Sequence, residues 1–113
     1  MRPEQLYLED IRGAVVAIAR FVDGKERGQL DEDELLLSGI LYKLTVIGEA
    51  ATHLGPEIRA AIPEIPWRSV VGFRNLVVHE YFGLDLDIVW TTASEQVPVL
   101  GRAIERFRSS QPH

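Results

Sequence analysis

Cysteine is absent from the 113 residues, which excludes a disulfide framework, a thiol nucleophile and a Cys-ligated zinc or iron–sulfur centre, and suits a reducing compartment. A surplus of basic charge is lacking as well. Twelve Lys and Arg stand against seventeen Asp and Glu, a net charge of −5, so the overall field does not draw in nucleic acid. No uninterrupted apolar run reaches the ~18 residues of a bilayer span, and Met1-Arg2-Pro3-Glu4 does not open into a secretory apolar segment. The expectation is therefore a soluble, cytoplasmic protein. Sustained period-two alternation and internal repeats are missing too, which argues against a strand-built fold or a solenoid.

What is present is helical periodicity. Leu8, Ile11, Val15, Ile18 and Val22 step by three and four, which predicts a first helix from about Glu4 to Val22. A polar break with two glycines follows, and the carboxylates of Asp31 to Glu34 suit the N-terminus of a second helix. Its apolar stripe of Leu37, Leu41, Leu44, Gly48 and Ala51 is wide enough for a central position. A glycine inside a helix costs about 1 kcal/mol relative to alanine, so Gly48 predicts that a neighbour packs close there. Pro56, Pro63 and Pro66 leave room only for a short turn of helix at Glu57 to Ala61. A third main helix starts at Trp67, with Gly83 expected to end it. A fourth, capped by Asp85 or Asp87, carries Pro98 inside it, which predicts a kink near Ser94. The fold class expected for residues 1–113 is one all-α domain, an antiparallel bundle of four main helices plus a short connector helix.

Candidate chemistry gathers in Arg74-Asn75-Leu76-Val77-Val78-His79-Glu80-Tyr81. Histidine is the side chain best suited to proton transfer near neutral pH, and His79 is the histidine with polar and aromatic company. His53 follows Glu49 by four residues but lacks further ligands at metal-binding spacing, so no metal and no cofactor is expected. Five residues of helix turn Arg74 and His79 about 140° apart. The helix must loosen, the arginine must curl toward the imidazole, or a second copy must supply the opposing wall. Cleaving a phosphodiester without metal works best with both a proton acceptor and a donor, and a two-fold dimer brings two histidines. Spacing alone leaves structural duties open: His79 as a dipole-complementing end residue, Arg74 paired with Glu9, Asp10 or Glu49, and Tyr81 as half-buried core.

The cluster resembles the Arg, four residues, His, one residue, Tyr signature of HepT-like toxins, a subfamily of the helical HEPN ribonuclease domains. Arg74, His79 and Tyr81 fall on the fixed positions, with the usual polar residue at Asn75. The likeness extends to Tyr7-Leu8-Glu9-Asp10-Ile11, Ile47-Gly48-Glu49-Ala50-Ala51, Ile65-Pro66-Trp67-Arg68 and the stretch from Tyr81 to Trp90. It implies a homodimeric, metal-independent endoribonuclease toxin whose two-fold interface forms the RNA cleft. His79 would act as acid or base, Arg74 would stabilise phosphate and Asn75 would orient the scissile group. It also implies a separately encoded minimal nucleotidyltransferase antitoxin that adenylylates Tyr81. Glu9, Asp10 and Glu49 are secondary candidates that could orient Arg74 or tune His79. The alternative, which suits the acidic balance better, is a noncatalytic helical module that docks a nucleotidyltransferase; a bundle that only oligomerises ranks third.

Overall fold

The apolar stripes in the sequence supply the residues of one buried core. The computed structural model describes residues 3–111, so Met1, Arg2, Pro112 and His113 lie outside it. Helix α1 spans Glu4–Val22 and buries Leu8, Ile11, Ala14 and Ile18. Asp23 is extended and Gly24 turns the chain at φ +71°, a conformation that glycine adopts without a Cβ clash. A four-residue helix the periodicity does not announce, α2 (Gln29–Glu32), follows and is anchored by buried Leu30. Helix α3 (Glu34–Thr52) starts where the side chain of Asp33 accepts from the backbone N–H of Leu36 at 3.0 Å. By length and composition α3 could cross a bilayer. Here it is the central core helix, packed between α1 and α5, and it carries Lys43 and Glu49.

The connector α4 (Pro56–Ala61) has proline at its start, where the missing N–H costs nothing. Helix α5 (Trp67–His79) is pinned at its first residue: the Trp67 ring is buried and its Nε1 donates to the Ile62 carbonyl at 3.1 Å. It ends at His79, four residues ahead of Gly83, and Tyr81–Gly83 tighten into a 3-10 turn. The physical reason is burial: Val77 is the last buried side chain of α5, and Tyr81 and Phe82 stay exposed, so nothing packs to hold another α turn.

The last helix begins as α6 (Leu86–Thr91), capped by the Asp85 carboxylate on the Asp87 N–H, and continues as α7 (Val97–Ser109). Between them Thr92–Gln96 form a π turn. Pro98 has no N–H to give the Ser94 carbonyl, so the ladder slips where a kink was expected. The Ser94 hydroxyl donates to the Trp90 carbonyl across the slip.

Among the described residues the architecture is all-α, with no strand. The main helices pack in the spatial order α5, α3, α1, α7. Gly101 on α7 admits a Val15 methyl from α1, which would lie 2.7 Å from any added Cβ. The same seam is held by Arg12 bonded to Glu105 and by Arg108 3.3 Å from Glu9. A closed four-helix bundle would have a fourth seam, between α5 and the α6–α7 helix. That seam instead opens as an apolar groove of about 690 Å³, floored by Leu44 and Ile47 and walled by Val70 and Phe73 on one side and Ile88 and Leu100 on the other.

Candidate functional site

Helix α5 holds the candidate residues, and Gly48 on α3 decides how close it comes. A Cβ at Gly48 would sit 2.2 Å from the Arg74 Cβ and 3.3 Å from its Cα, so the neighbour that this glycine predicted is Arg74 itself. The guanidinium then lies back across α3. Its Nη2 is 3.1 Å from Glu49 Oε2, and its Nη1 donates to Asn75 Oδ1 at 3.0 Å. Its Nε is buried with no hydrogen-bond partner among the described residues.

Helix α5 stays α-helical through His79, so it does not loosen between the two residues. The guanidinium contacts Glu49 and its chain neighbour Asn75 rather than the imidazole. Arg68, Gly72, Asn75 and His79 recur at spacings of four, three and four and all lie exposed, forming one outward stripe. Asn75 therefore joins the anchored guanidinium to the face that carries the imidazole. Tyr81 lies just past the helix end, 45% exposed, with its ring edge-on to Phe82 at 5.4 Å between centroids. Phe82 is fully exposed, and Leu76, Val78 and Ile88 add exposed apolar surface in the same part of the chain.

Of the three secondary carboxylates, Glu49 joins Arg74. Glu9 pairs with Arg12 and Arg108 on the α1–α7 seam. Asp10 is half-buried on α1. Arg68 shares the His79 stripe, whereas Arg102 is exposed on α7. No group of three His, Asp or Glu side chains placed to hold a metal ion occurs among the described residues.

One pairing escaped the sequence. The ring of Tyr7, on α1, stacks on that of His53, the residue that ends α3, with centroids 4.4 Å apart and planes 10° from parallel. His53 Nε2 is 3.8 Å from Glu49 Oε1, the second oxygen of the carboxylate that holds Arg74. The Glu49–His53 spacing of four was visible in the chain, but the Tyr7 contact spans two helices.

Comparison with known proteins follows the same lines. A family model described as "Ribonuclease HepT-like" matches residues 11–107. The chain is 32% identical over 107 residues to a protein of Thermococcus cleftensis named "Probable ribonuclease HepT", covering 95% of this chain and 97% of that one. It is 30% identical over 107 residues to a "Putative RNase" of Caldanaerobacter subterraneus subsp. tengcongensis, covering 95% and 96%. A "Putative RNase" of Methanocaldococcus jannaschii is 27% identical over 104 residues, covering 92% and 95%. No solved structure matches the chain.

Proposed function

The chain belongs to the HepT-like ribonuclease family, and on that premise we propose that it is the toxin of a toxin–antitoxin pair, a metal-independent endoribonuclease acting in the cytoplasm as a homodimer. The observation that carries this is the arrangement on α5: a guanidinium anchored by Gly48 and Glu49, joined through Asn75 to the exposed stripe that bears His79. In the reaction, the ribose 2′-oxygen attacks the adjacent phosphorus, the bond to the 5′-oxygen breaks, and a 2′,3′-cyclic phosphate forms. One imidazole takes the 2′-hydroxyl proton and a second gives a proton to the departing 5′-oxygen, which balances without metal or cofactor. His79 supplies one, and His79 of the partner subunit supplies the other.

Arg74 offsets the charge that builds on the non-bridging oxygens, and Asn75 orients them. The Arg74 Nε has no hydrogen-bond partner among the described residues, so leaving Glu49 for a phosphate forfeits less than it would for a fully paired arginine. The net charge of −5 opposes RNA approach, so Arg68 and Arg74 have to act locally.

Support for the dimer comes from exposed apolar surface: Leu76, Val78, Phe82 and Ile88 all lie open to solvent in the stretch around His79 and Tyr81. His79→Ala should lose about 10²–10⁴-fold in cleavage rate while melting like the parent, since His79 is exposed. Cleavage at the parent rate would refute the assignment.

Silencing follows at Tyr81. A minimal nucleotidyltransferase antitoxin would place the phenol oxygen on the α-phosphorus of ATP, releasing pyrophosphate and leaving adenylate beside Arg74 and His79. The added phosphate competes for the same positive charge and fills the cleft. Mass spectrometry of the protein co-expressed with its antitoxin should find adenylate on Tyr81, and none on Tyr81→Phe. An unmodified Tyr81 in an inhibited complex would mean occlusion instead.

A further inference from the structure

We propose that the Tyr7–His53 stack is a nucleobase subsite, on which one unpaired base of a single-stranded RNA lies while a neighbouring phosphate meets Arg74. The proposal rests on the ribonuclease reading above and adds the recognition of substrate to it. Three observations carry it. Tyr7 is half-buried against the core and covers one face of the imidazole, with centroids 4.4 Å apart. The His53 side chain is nonetheless 48% exposed. With Tyr7 on one face, that exposure is shared by the other face, the rim and the Cβ, so part of the ring stands open to solvent.

Its position is the second observation. The two oxygens of the Glu49 carboxylate lie 3.8 Å from His53 Nε2 and 3.1 Å from Arg74 Nη2. The open ring and the phosphate-binding guanidinium thus flank one carboxylate, a separation that one nucleotide can bridge between its base and its phosphate.

The third is that other groups already finish the end of α3. Arg59 donates to the carbonyls of Leu54 and Ala51, the His53 N–H donates to the Ala50 carbonyl, and the Gly55 N–H donates to the Glu4 carboxylate. The imidazole is therefore not needed to cap α3, and its partners are the Tyr7 ring and Glu49. A base in a duplex is stacked on both faces, whereas a base in a single strand is free to lie on a protein ring. Every base has a π-face, so the subsite fixes the strand and tolerates sequence.

The test uses a short single-stranded 2′-O-methyl RNA, which lacks the attacking hydroxyl, with 2-aminopurine moved along it and a matching set with one abasic position. Against the intact strand, His53→Ala should bind about 5- to 150-fold more weakly than the parent. Against the strand abasic at the stacked position the two proteins should bind alike, and 2-aminopurine there should be quenched by the parent and by His53→Phe but not by His53→Ala. Equal binding by His53→Ala and parent, or an equal loss at every abasic position, would mean that the stack only braces α1 against α3. Cleavage of unmodified RNA separates the two readings. A parent that cuts, with an unchanged KM in His53→Ala, overturns the subsite alone; a parent that neither binds nor cuts overturns the ribonuclease reading and the subsite with it.

Discussion

Replacing Gly48 by alanine tests the packing on which the site depends. The new Cβ would lie 2.2 Å from the Arg74 Cβ and 2.9 Å from its Cγ. Unstrained carbon contacts lie at roughly 3.5–4.0 Å, so about 1.5 Å has to be found. Rotation about the Arg74 side-chain bonds cannot supply it, because the Cβ is fixed to the backbone and its Cα lies only 3.3 Å away. Helix α5 must therefore retreat from α3. Overpacking of this kind costs about 1–3 kcal/mol, and the better helix propensity of alanine returns about 1, for a net loss of about 0–2 kcal/mol. Activity should suffer more than stability. A misplacement of about 1 Å costs on the order of 10²-fold in rate, and Arg74 moves with the helix. Thermal melts and initial rates of RNA cleavage measure both. Gly13→Ala is the control, since nothing lies within 4 Å of its added Cβ, and it should gain up to about 1 kcal/mol with full activity. A Gly48→Ala protein as stable as Gly13→Ala, with parental activity, would refute the close approach.

Ile11 is fully buried on α1, so Ile11→Ala should lose about 2–5 kcal/mol in denaturant unfolding; a loss under about 1 would remove it from the core. Glu105 is held below the ordinary carboxylate value of 4.5, chiefly by its hydrogen bond from Arg12. A depressed carboxyl stabilises the fold above its ordinary pKa and stops doing so as pH falls through the folded value. The melting temperature of Glu105→Gln should therefore lie slightly below the parent at neutral pH, the gap staying small because the pair is exposed, and should converge with it in acid. A gap that widens in acid would contradict the pairing.

Much of the fold was legible in the chain because helical burial is a local pattern. Spacings of three and four located α1, α3, α5 and the last helix, and the prolines marked the connector α4 and the slipped turn before α7. The helix α2 was not legible, since four residues are too few to show a period and Leu30 alone anchors it. The early end of α5 was hidden for the opposite reason: Tyr81 and Phe82 look apolar in sequence, and only packing reveals that they stay outside. At the site, the Arg74–His79 spacing and the Glu49–His53 pair could be read directly, whereas the choice of Glu49 over Glu9 as the partner of Arg74 depended on which helices face each other.

By itself, then, the amino-acid order determined which residues bear protonatable and cationic groups, which stretches coil, and that a glycine on the central helix requires a close neighbour. Those properties are written within a few turns of backbone. Only the tertiary arrangement decided that the neighbour is Arg74, that Tyr7 lies on His53, and that the seam between α5 and the last helix stays open. These depend on contacts between segments tens of residues apart, which no local period encodes.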